Sequence, residues 1–129
     1  LPVANMYGKS SNINLPSSIK SSINTNLMVL GSIVFYFIIS NILINTFNIG
    51  YPFNIFLRGL LEMTQGLNDV IYLNSDIKVI TTVIFITFGG FSIHTQVKCI
   101  LDEYGLDYKY FFKGRILQLI IAIILTFIP

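Results

Sequence analysis

The chain has 129 residues, of which 53% are hydrophobic and only 11% charged, with a formal net charge of +2. Soluble domains carry about 25% charged residues, so this composition, with a mean hydropathy of +0.73, points to an integral membrane protein whose main partner is the lipid bilayer. Basic residues are scattered rather than blocked and do not alternate with aromatics, which excludes the usual nucleic-acid footprint. A lone Cys99 excludes an internal disulfide and a CxxC metal site.

Residues 1–26 are polar, rich in Ser and Asn, and carry Pro2 and Pro16. They read as a polar linker or a short interfacial segment, with Pro16 suited to the first turn of a helix. Residues 27–129 read as one membrane domain. Its first run, LMVLGSIVFYFIISNILINTF at 27–47, holds no charge and spans roughly 30 Å as a helix, one bilayer core. Asn41 and Asn45 lie four apart on one face, placed against a partner helix or at interfacial depth.

Gly50 and Pro52 end that run, and FNIFLRGLLEMTQG follows. Ile55 to Met63 is too short to cross a bilayer and carries Arg58 and Glu62, four residues apart on one helical face. Three roles fit Glu62: an ion pair with Arg58, a ligand or coupling-ion contact, or an interfacial position. Short, Gly-interrupted apolar pieces mark re-entrant or broken helices. The alternative is a tilted fourth span built from part of 53–72.

The second long run, IKVITTVIFITFGGFSIHTQVKCI at 77–100, is long enough to cross and contains Gly89-Gly90 followed by Ser92, His94, Thr95 and Gln96. Ser92 and Gln96 stack on a regular helix, whereas His94 lies about 200° from Ser92. One regular face cannot hold the whole cluster, so the backbone is expected to break or loosen at the glycines. His94 fits either a proton relay or a neutral interhelical hydrogen bond. The run 116–128 is the start of a third span, reaching bilayer length if 110–115 join it with Lys113 and Arg115 snorkelling to the headgroups.

The expected fold class is therefore an all-α integral membrane protein with about three transmembrane helices plus a re-entrant or broken segment. Lys9, Lys20, Lys98, Lys109, Lys113 and Arg115 place the N-terminal segment and the 101–115 connection on the cytoplasmic side. The absence of an initial Met and the apolar ending IIAIILTFIP raise the expectation of a longer membrane protein. HExxH, GxSxG and glycine-rich phosphate loops do not occur, so the sequence gives no reason to expect an enzyme, a cofactor or a metal.

Two stretches carry a family resemblance. Gly59, Leu60, Leu61, Glu62, Thr64 and Gly66 form one motif, and Gly89, Gly90, Ser92, His94 and Gln96 form another. In this order the motifs resemble the C-terminal half of YlbJ-type sporulation integral membrane proteins, which are related to the nucleoside-recognition or gate domain of nucleoside transporters. The resemblance covers about residues 27–129. It implies half of a larger transporter-like fold whose partner is a missing N-terminal half. It implies a small polar or anionic solute such as dipicolinic acid, and a bacterial cell membrane or outer forespore membrane. The expected pathway residues are Arg58, Glu62, Thr64, Gln65, Gly89, Gly90, Ser92, His94 and Gln96. A non-transporting assembly protein of the membrane is the rival expectation, with the polar clusters holding helices together.

Overall fold

The computed structural model describes residues 14–128, and these are all helix and short connection. Helix α1 runs Leu15–Phe47, α2 Phe53–Leu61, α3 Met63–Asp69, α4 Ser75–Phe88, α5 Gly90–Glu103 and α6 Tyr108–Thr126, with a 3-10 turn at Val70–Tyr72.

Helix α1 starts earlier than the hydropathy pattern suggests. Asn14 caps it by accepting from the Ser17 amide at 3.0 Å, and Pro16 sits in the first turn, where its missing N–H costs nothing. Residues 15–26 are thus the first turns of one helix with the apolar run, not a separate linker. The remainder of the expected linker, with Lys9, lies outside the described residues. At 33 residues α1 is about 50 Å long, more than one bilayer core.

Among the described residues, two segments are long and apolar enough to cross a membrane, Leu15–Phe47 and the interrupted pair Ser75–Glu103. Only 11% of the apolar window of α1 is buried, so α1 is not a core helix of this domain. The third expected span is one continuous helix from Tyr108, but Lys109, Lys113 and Arg115 in its first half keep it outside that class.

The segment after α1 folds back on itself. Helix α2 ends at Leu61, Glu62 is extended (φ −138°, ψ 112°), and α3 returns alongside. Gly59 and Gly66 make this close turn possible: a β-carbon on Gly66 would overlap the Gly59 backbone, and one on Gly59 would overlap the Phe85 ring. The hairpin covers the main apolar core, Ile55, Val70, Leu73 and Phe85, with Phe56, Met63 and Ile84 against it.

The expected interruption at the paired glycines is present. Gly89 (φ 86°) and Gly90 (φ 73°) are both left-handed, a region side-chain-bearing residues avoid. The break changes the helix's neighbour. Before it, α4 packs on α6, with Arg115 at Thr87 and the 126–127 end beside residues 76–80. After it, α5 runs antiparallel to α1, with Gln96 at Ser32 and Ile100 and Glu103 beside residues 21–28.

Candidate functional site

The two backbone breaks meet. A β-carbon on Gly90 would lie 3.0 Å from the Met63 amide nitrogen, 3.2 Å from the Gly59 carbonyl and 3.4 Å from the Leu60 carbonyl. Four helix ends therefore converge: the carbonyl ends of α2 and α4 and the amide ends of α3 and α5. Each end of a helix exposes up to four unpaired backbone groups and about half a unit of charge. Buried ends need partners.

Glu62 serves the α3 end. Its carboxylate is 2% exposed and accepts from the Gln65 amide at 2.8 Å, the Thr64 amide at 3.2 Å and the Thr64 hydroxyl. The Glu62–Arg58 pair, one of the three roles open to Glu62, is not formed. That pair needs an unbroken helix, and α2 stops before Glu62, which turns its side chain onto α3. Arg58 instead donates to Asp69 at 2.6 Å across the hairpin and to Asn41 at 3.4 Å. The fold-back of α3 brings Asp69 there, and spacing along one helix cannot reveal it.

His94 and Arg115 serve the α4 end. His94 Nε2 lies 3.0 Å from the Phe88 carbonyl, and Nδ1 meets the Tyr108 hydroxyl. A carbonyl can only accept, so Nε2 carries the proton, and neutral imidazole then accepts from Tyr108. The ring is boxed in by Phe88, Phe91, Phe111 and Phe112. Arg115 donates to the Thr87 carbonyl at 3.2 Å and lies 5.2 Å from the Phe111 ring centroid. Arg115, expected to snorkel, places its cation on the negative end of α4. Lys113 is exposed.

Gln96, Thr95 and Gln65 turn toward α1. Gln96 Nε2 donates to Ser32 Oγ at 2.7 Å, Thr95 and Tyr36 share a 2.7 Å hydrogen bond, and Ser40 Oγ lies 2.9 Å from the Gln65 side-chain amide. Ser32, Tyr36 and Ser40 recur every four residues and form a hydroxyl ladder on one face of α1. Sequence reading singled out Asn41 and Asn45 and missed this ladder, although its spacing in a charge-free run was the available signal. Asn41 does face a partner, Arg58, while Asn45 is exposed.

Ser92 differs from the rest. It is fully buried, and its hydroxyl has no hydrogen-bond partner. The expected pathway residues thus divide. Glu62, Thr64, Gly89 and Gly90 build the crossing of the breaks. Gln65, Gln96 and His94 are held by neighbouring helices, Arg58 is paired, and Ser92 is unengaged. Among the described residues no group of three or more His, Cys, Asp or Glu side chains is placed to hold a metal. Comparison with protein-family models, curated proteins and solved structures gives no match for this chain.

Proposed function

We propose that the chain is a membrane-embedded component of a solute transporter, contributing half of a substrate pathway at the crossing of its two broken helices. One observation carries the reading: the two breaks meet, and the residues beside them contact Tyr36, Ser40 and Asn41, inside the charge-free part of α1. Irregular backbone at bilayer depth is tolerated only where it is buried in protein or lines a wet cavity, and transporter sites form where broken helices present their ends. α6 supplies the third span in this reading, and the α2–α3 hairpin is the re-entrant element.

The family resemblance extends the proposal to a sporulation-associated transporter that moves a small organic anion, such as dipicolinic acid, across the outer forespore membrane. An adjacent Glu62 would repel such an anion, but the α3 amide end and Thr64 already bind that carboxylate. The second reading is a non-transporting assembly protein. The hydrogen bonds that join Gln65, Thr95 and Gln96 to α1 favour it, because interhelical polar contacts of this kind hold membrane helices together.

Thiol accessibility separates the two. In the intact protein in membranes, with Cys99→Ser as background, single cysteines replace Glu62, Thr64 and Gln65. A pathway makes them reactive to water-soluble reagents, and a transported solute slows the reaction. Uniform inertness sinks the pathway reading and leaves the assembly role.

A further inference from the structure

Three of the four converging helix ends are engaged by a side chain or turn back on their own chain. Glu62 caps α3, His94 and Arg115 cap α4, and the last carbonyls of α2 lie against Gly90, with Arg58 O taken by the Glu62 amide at 2.7 Å. The amide end of α5 has no side-chain cap. Its third residue is Ser92, wholly buried with an unpartnered hydroxyl. Side chains on a helix lean toward its N-terminus, so this hydroxyl is directed at the uncapped end. A helix of 14 residues presents there free N–H groups and a partial positive charge, which together select an anion.

From this geometry we infer that the first turn of α5, with Ser92 Oγ and the adjacent backbone N–H groups, binds an anionic group of the solute. The inference rests on the pathway reading above and names the contact within it. In the present structure the α2 carbonyl end lies against that turn, with the Gly59 and Leu60 carbonyl oxygens close to Gly90. Those oxygens supply the negative end that an anion supplies after the hairpin tip moves away. Arg58 is not the anion's partner. Although its Nε lacks a hydrogen bond, its guanidinium charge is matched by Asp69 at 2.6 Å.

The test uses charged thiol reagents on the intact protein in membrane vesicles, again with Cys99→Ser as background. Ser92→Cys is compared with Gln65→Cys for reaction with a sulfonate-bearing and an ammonium-bearing methanethiosulfonate. The expected result is about tenfold faster reaction with the sulfonate reagent at position 92 and no such preference at position 65. Phe91→Cys, on the same turn and already 45% exposed, gives the same preference if the Ser92 variant does not insert. Equal rates, or preference for the ammonium reagent, overturn the inference. Inertness at 91 and 92 with reactive thiols at 62–65 overturns it while leaving the pathway reading intact. Inertness at every position overturns both.

Discussion

The two breaks solve one physical problem in different ways. At Glu62 the chain leaves an extended residue whose own carboxylate closes the helix that follows. The repair is local: Glu62, Thr64 and Gln65 supply both the break and its cap. At Gly89 the chain leaves two left-handed glycines with no side chains to offer. The repair on the α4 side therefore comes from a distance, from His94 one turn into α5 and from Arg115 in α6. On the α5 side there is no side-chain repair. A self-capped break can be rigid on its own, while one capped from elsewhere ties three helices together and leaves one end available.

The comparison can be broken hardest at the glycine contact. Gly66→Val forces a side chain into the Gly59 backbone and the Phe85 ring. Overpacking costs typically about 1–3 kcal/mol and more where backbone must move. The expected outcome is loss of the folded state, or about 3 kcal/mol or more in detergent unfolding. A variant of normal stability would mean that α2 and α3 do not fold back closely.

Arg58→Ala comes next, because it leaves Asp69, with a side chain 12% exposed, without its cation. Breaking a buried pair costs about 3–5 kcal/mol; Arg58 is itself 27% exposed, and solvent screening reduces the expected loss to about 2 kcal/mol. The double variant Arg58→Met with Asp69→Leu recovers most of it. An equal loss in Glu62→Ala and Asp69→Ala backgrounds would point to the wrong partner.

His94→Phe and Glu62→Ala sharpen the local-versus-distant distinction. His94→Phe keeps the aromatic box but strands the Phe88 carbonyl and the Tyr108 hydroxyl, at about 1–3 kcal/mol. Its effect spreads to hydrogen exchange in α4 and α6. Glu62→Ala removes a helix cap, about 1 kcal/mol, and its effect stays within 62–69. Similar spreading in both variants would remove the distinction.

The smallest effect belongs to Gly31→Ala. No atom outside its own helix lies within 4 Å of the added carbon. Helix propensity alone favours alanine by about 1 kcal/mol, so a slight stabilisation is expected in the same unfolding measurement.

Much of this was legible in the residues. Charge-free runs separated by Gly, Pro and charged connections determined an all-helical chain with segments long and apolar enough to cross a membrane. Gly89-Gly90 determined a break, because only glycine holds two successive left-handed conformations cheaply, and the roughly 200° between Ser92 and His94 required those groups to face different neighbours. Local spacing went wrong where it assumed an unbroken helix. Arg58 and Glu62 share a face only if α2 continues, and it does not. The tertiary fold decided the rest: that α3 returns to bring Asp69 to Arg58, that His94 and Arg115 from different helices close α4, and that a hydroxyl ladder on α1 receives Gln65, Thr95 and Gln96. Each of these contacts joins backbone ends or faces distant along the chain. Their partners are set by which helices pack together, a property that the period of a single helix does not encode.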